Sequence, residues 1–195
     1  MNIGVLGLQG GYQAHIQCLN KLGTSCSLVR DRTTLKATDA LIIPGGESSV
    51  MITLLKQQQL WNSLIDYEKP ILGTCAGAIL LAKSVESPTQ DSLGRLNICA
   101  TRNAYGRQLA SRVVEGHCTV RDLGMEMIFI RAPKLTPLEK ASIKILATYQ
   151  NQIVAVQENN IIAASFHPEL SQENYLHRYF IQQISVLAHQ SHSAC

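Results

Sequence analysis

Apolar residues along this chain fall into two patterns. Short unbroken runs have the length and branching of strands buried on both faces: "IGVLGL" (3–8), "SLVR" (27–30), "ALIIPGG" (40–46) and "PILGT" (70–74). Between them, apolar positions return at helical spacing. Ile16, Leu19 and Leu22 share one face of a stretch that ends at Gly23. Helical spacing returns from about Ser49 to Leu64, and again from Ala76 to Ala82. This alternation predicts an α/β fold with an open, mostly parallel sheet and helices on both faces. The second half reads differently. "VVEGHCTV" (113–120), "MIFIRAP" (127–133), "KILATY" (144–149), "QIVAVQE" (152–158) and "IIAASFH" (161–167) are separated only by turns. They predict antiparallel strands added to the sheet. "SQENYLHRYFIQQISVLAHQ" closes as a helix with Ser171 as N-cap and Asn174 at N3, and the tail "SHSAC" is expected to fray.

Composition narrows the class. The 195 residues suit one domain spanning 1–195, and 46% apolar content supports a sizeable core. No repeat or low-complexity linker divides them. Net charge is +3, with Lys and Arg spread along the chain, so no basic block points to nucleic acid. The opening "MNIGVLGLQGG" lacks the charged start and apolar stretch of a secretion signal. No apolar run approaches the roughly 18 residues of a membrane span. Six cysteines (Cys18, Cys26, Cys75, Cys99, Cys118 and Cys195) form no C-x-x-C pair or disulfide framework. A reducing cytoplasm is the expected setting.

One cysteine stands apart. In "GTCAGAILLA" (73–82) nothing larger than threonine lies within two residues of Cys75. A strand ending at Thr74 and a helix starting near Ala76 would put Cys75 on a sharp strand-to-helix turn, where crowding demands small neighbours. A helix start lowers thiol pKa and offers N–H groups to an oxyanion. On this segment alone, a structural cysteine in a close-packed helix start accounts for the pattern equally well.

A nucleophilic thiolate needs a base, and the base an orienting group. "SFHPEL" (165–170) contains both, as His167 and Glu169. In extended backbone two such residues point the same way, and Pro168 favours extension at His167. If "IIAAS" lies beside "PILGT", Cys75, His167 and Glu169 meet. The other histidines, His15, His117, His177, His189 and His192, read as core or surface residues. "PGGESS" (44–49) follows "ALII" directly. Its glycines allow backbone to approach a ligand closely, and their N–H groups can face an oxyanion. As an ordinary loop into a helix it would use Ser48 or Ser49 as the cap.

P-G-G-E-S, G-T-C-A-G and F-H-P-E in this order resemble class I glutamine amidotransferases. With "IGVLGLQG" (3–10), "RNAYGRQ" (102–108) and "FIRAP" (129–133), the chain is similar to the glutaminase subunits of pyridoxal 5′-phosphate synthase over residues 1 to about 183. The resemblance implies a flavodoxin-like sheet and hydrolysis of L-glutamine to glutamate and ammonia, without cofactor or metal. It implies Cys75 as nucleophile, His167 as base and Glu169 as its orienting carboxylate. Glutamine would be bound by Gly46, Glu47, Ser48, Arg102, Ile130 and Arg131, with Gly46 and Ala76 N–H groups as oxyanion hole. A fixed-fork arginine suits the substrate α-carboxylate. The implied partner is a PdxS-type synthase subunit that receives the ammonia, and the Gly45–Gly46 peptide is the expected place for partner-dependent activation. "QGGYQAH" (9–15) departs from the family pattern beside that partner surface, and "ESPTQDSLGRLN" (86–97) has no assigned place. Rival readings are a glutaminase subunit of another pathway, a cysteine hydrolase of the same architecture, and a non-catalytic subunit. The first lacks "RNAYGRQ" and "FIRAP", the second H-P-E, and the third has no need of an intact triad.

Overall fold

A computed structural model of the chain describes residues 1–104, 111–139 and 141–192, with side chains through 188. Its first half is the expected alternation. β1 (Asn2–Leu6) leads through α1 (Tyr12–Lys21) to β2 (Ser25–Val29), then through α2 (Arg32–Lys36) to β3 (Ala40–Ile43). The short α2 went unforeseen. The Asp31 carboxylate starts it by accepting the Thr34 N–H at 2.8 Å. α3 (Ser48–Gln57) and α4 (Trp61–Ile65) precede β4 (Ile71–Thr74), and α5 (Ala76–Leu81) follows it. The single helix expected over 49–64 is thus two, because Gln59 turns to φ 56° between them.

β5 (Ala82–Glu86), β6 (Leu96–Thr101) and β9 (Lys134–Pro137) form a separate three-stranded sheet that the sequence pattern did not predict. The unplaced 86–97 segment joins its first two strands and packs back on α5. Leu93 donates to the Leu80 carbonyl at 2.7 Å and Arg95 to that of Leu81 at 2.9 Å. The remaining strands are β7 (Ser111–Cys118), β8 (Leu123–Ile130), β10 (Lys144–Tyr149), β11 (Gln152–Glu158) and β12 (Ile161–Ala164), and α6 (Tyr175–His192) closes the chain. The main sheet runs β2-β1-β3-β4-β12-β11-β10-β7-β8.

Two expectations need correction. β12 is antiparallel to β11 but parallel to β4, so the last strand completes the parallel half instead of extending the arm. It also stops at Ala164, short of His167. The closing helix starts at Tyr175, so Ser171 is not its N-cap. The Ser171 hydroxyl instead accepts the Glu173 N–H at 3.2 Å, and Asn174 sits at φ 50° just before the helix.

Because β1, β3, β4 and β12 are covered on both faces, alternate residues feed two cores. Leu41, Ile43, Ile71 and Ala163 pack toward α3, α5 and the small sheet. Ile3, Ile42, Leu72 and Ile162 pack on the other face with Phe166 and Phe180. Among the described residues, no helix is long and apolar enough to cross a membrane. Tyr105 to Gln108 of "RNAYGRQ", Cys195, and the side chains of His189 and His192 lie outside the described residues.

Candidate active site

The site forms where β4 and β12 end side by side. Thr74 is in register with Ala164, and the next amide, that of Cys75, donates to the Ala164 carbonyl at 2.8 Å. The backbone then turns sharply into α5, with Cys75 at φ 47° and ψ −103°. A non-glycine residue holds such a conformation only where its surroundings over-determine it. Here they do: a Cβ on Gly77 would run into the Ile43 carbonyl, so α5 sits directly on β3. The Cys75 thiol is buried and lies 3.7 Å from the Ile130 carbonyl.

His167 arrives from β12 past Ser165 and Phe166. Its amide donates to the Ile128 carbonyl at 2.8 Å, which ties it to β8. Pro168–Leu170 is a turn of 3-10 helix, and that turn, not an extended strand, brings Glu169 back to the imidazole. His167 Nδ1 and Glu169 Oε1 are 2.7 Å apart, both side chains buried. Burial alone would lower the His167 pKa. The nearby Cys75 sulfur, and the hydrogen-bonded, charged Glu169 carboxylate, outweigh it and push the pKa up to about 10. Burial likewise opposes the charge of Glu169. The facing His15 ring and the hydrogen bond to His167 prevail, and its pKa is lowered. His167 Nε2 is buried and makes no formed hydrogen bond, although the ring lies close enough to the sulfur for the two to couple.

The third wall is the loop after β3. The Gly11 N–H donates to the Gly45 carbonyl at 3.0 Å. In a planar trans peptide this turns the Gly46 N–H away from Gly11. Gln9 clasps the next residue from both sides: its Nε2 donates to the Glu47 carbonyl at 3.2 Å, and its Oε1 accepts the Glu47 N–H at 3.3 Å. Gly46 sits at φ 157°, where a Cβ would overlap the Gln9 amide. The Ser48 hydroxyl donates to Gln90 at 3.0 Å, which gives the 86–97 segment a place beside the site.

One cleft is lined by Gly46, Glu47, Ser48, Cys75, Arg102, Ile130, Arg131 and His167. Arg102 reaches into it with a guanidinium N–H 2.9 Å from Glu47 Oε1. Glu169 stands behind His167, and Ala76 is buried at the head of α5. Ile79 and Asn103 also line the cleft and were not singled out from sequence. Ile79 lies one helical turn beyond Cys75, a spacing that could have flagged it. His15 and His177, read as core or surface residues, are both fully buried behind Glu169. No sequence spacing connects α1, α6 and the 3-10 turn. Chemically, a thiol on a strained turn beside a carboxylate-held imidazole can attack an electrophilic carbon and then move a proton.

A nine-stranded sheet, helices on both faces and a thiol at the end of a central parallel strand define an amidotransferase-type α/β protein, and comparison with known proteins agrees. The model of the SNO glutamine amidotransferase family matches residues 5–186, nearly the whole chain, and the chain belongs to that family. It is 44% identical over 190 residues to the pyridoxal 5′-phosphate synthase subunit PdxT of Thermotoga petrophila, covering 94% of this chain and all of that one. The PdxT of Methanocorpusculum labreanum is also 44% identical over 190 residues, covering 95% and 98%. Among solved structures, a glutamine amidotransferase superposes with TM-score 0.87 at 35% identity, covering 94% of this chain and 98% of its own. PurLQS from Thermotoga maritima, at 12% identity and TM-score 0.67 over 96% and 98% of the two chains, shares the fold.

Proposed function

We propose that this chain is the glutaminase subunit of a pyridoxal 5′-phosphate synthase, acting through Cys75, His167 and Glu169. The observation that carries this reading is the His167–Glu169 pair, held at 2.7 Å beside a thiol whose own amide is tied to the neighbouring strand. The Cys75 sulfur attacks the side-chain carboxamide carbon of L-glutamine. N–H groups of Gly46 and Ala76 receive the oxyanion. His167, held protonated, gives its Nε2 proton to the departing ammonia. The neutral imidazole then takes a proton from water, which opens the thioester and releases glutamate. Glu169 keeps a proton on Nδ1 throughout, so that Nε2 faces the reaction. Glu47, Ser48, Arg102, Ile130 and Arg131 hold the substrate, and Arg102 exchanges part of its bond to Glu47 for the glutamine α-carboxylate. No cofactor is needed.

The ammonia passes to a PdxS-type synthase subunit. Docking of that subunit near Gln9–His15 would act on the Gly45–Gly46 peptide through the Gly11 hydrogen bond and the Gln9 clasp. Residues 1–195 work as one domain, in the cytoplasm. The test is glutamate release from L-glutamine by the purified chain, alone and with a matched synthase subunit. Strong stimulation that vanishes in Cys75→Ala supports the reading. No release with a competent partner overturns it.

A further inference from the structure

The carboxylate that orients His167 has two oxygens, and only one is occupied by it. Oε1 accepts from His167 Nδ1, while Oε2 is buried and makes no formed hydrogen bond. The group facing Oε2 is the imidazole of His15, whose Nε2 lies 3.4 Å away. The same Nε2 is 3.2 Å from the Thr74 hydroxyl, on the residue that precedes Cys75. On its far side, His15 Nδ1 is 2.9 Å from His177 Nε2. His15 therefore touches the orienting carboxylate, the end of β4 beside the nucleophile, and α6.

The protons in this row can be placed. Complete burial lowers the pKa of His15 and takes that of His177 down to about 3, so both rings are neutral. The 3.4 Å approach is thus a neutral N–H beside a carboxylate, not an ion pair. A proton on His15 Nδ1 would turn a bare Nε2 lone pair toward Glu169, and would leave His177 Nδ1–H as a buried donor without an acceptor. With the proton on His15 Nε2, His177 Nε2–H donates to His15 Nδ1. The N–H of His15 then bonds Thr74 and faces Oε2, and the unpaired atom left over is the acceptor His177 Nδ1. A carbonyl-like acceptor without a partner is the more tolerable defect. The order is fixed: His177 to His15, and His15 to Thr74 and Glu169.

We propose that His15, set by His177, is a positioning residue for the catalytic row: its Nε2–H holds Glu169 ionised and aligned with the Thr74–Cys75 turn. The proposal rests on Glu169 being the orienter of His167. It gives α1 a task besides packing, since Tyr12–Lys21 carries His15 under the 3-10 turn. The titratable groups around Glu169 are few. They are His15 and Cys18 from α1, His177 from α6, and His167 on its own turn, with Cys75 beyond it.

The experiment compares His15→Leu, which keeps volume and removes the donor, with His15→Gln, whose amide N–H can reach the Nε2 position. Two readouts are taken on the full chain with its matched synthase subunit: glutamate release against pH, and alkylation of Cys75 by iodoacetamide, followed residue by residue with mass spectrometry. His15→Leu should lower kcat about 10- to 100-fold with KM within about twofold, the scale of a misplaced catalytic group. The acidic limb of its pH profile should move to higher pH, because Glu169 without the N–H is harder to ionise. Alkylation of Cys75 at pH 6 should slow in step. His15→Gln should restore most of all three. Equal defects in the two variants, or a normal acidic limb and normal alkylation in His15→Leu, overturn the proposal. If wild type releases no glutamate, the glutaminase reading fails, and the alkylation comparison still decides the role of His15.

Discussion

The two arms of the main sheet are built to different standards. β1, β3, β4 and β12 are nearly or wholly buried throughout, and their parallel ladder is closed on both faces. β7 and β8 form a long antiparallel hairpin with one face to solvent, where Val113 is 66% exposed. The candidate site draws on both. The parallel half provides Cys75 at a strained turn that nothing around it can relax. The hairpin provides the Ile128 carbonyl that pins His167, and the Ile130 carbonyl that faces the thiol. Rigid chemistry sits on the closed half, and the open half contributes a wall of the cleft.

Substitutions should reproduce that division. The largest effect is expected from Cys75→Ala, which should lower partner-stimulated glutamate release by a factor on the order of 10⁴ or more while the chain stays folded. Gly46→Val comes next: its side chain would overlap the Gln9 amide, and partner stimulation should be lost. Full partner-dependent turnover in that variant would end the peptide-switch idea. Gly77→Ala should cost about 1–3 kcal/mol in denaturant unfolding, because the added methyl meets the Ile43 backbone, which cannot step aside.

A pH effect comes fourth. The pKa of His167 is raised, to about 10, above an ordinary 6.5. Its protonated form therefore contributes stability that is fully present below about pH 6.5 and is lost as pH rises toward 10. The gap in melting temperature between wild type and His167→Gln should narrow over that window, and a constant gap would contradict the pairing. Smallest is Gly124→Ala on β8. Its new methyl meets only the mobile end of exposed Glu115, so stability should change by less than about 1 kcal/mol, and a cost like that of Gly77→Ala would erase the contrast between the arms.

Sequence pattern carried the parallel half well, because strands buried on both faces leave continuous apolar runs and glycine-marked ends. β10 and β11 coincide with the expected "KILATY" and "QIVAVQE". The small sheet escaped notice since β5 follows α5 without any turn residue, and Lys83, Ser84 and Glu86 give it a polar look. β12 read as one more antiparallel strand because its parallel neighbour β4 lies far away in sequence. The same distance hid His15 and His177: periodicity speaks of a residue's own helix, not of the turn it will meet. The cleft residues came from the motifs, and geometry added Ile79 and Asn103 to them.

β12 lies between β4 and β11, and it is among the last strands to be synthesised. Until it slots into that gap, Cys75 has neither the carbonyl that fixes its amide nor an imidazole beside it. A ribosome-bound or half-folded chain therefore lacks the surroundings that the finished protein gives Cys75. Closure of the central ladder and assembly of the Cys75–His167–Glu169 cluster are a single event, so the placing of His167 beside Cys75 is also a gauge of whether the chain has finished folding.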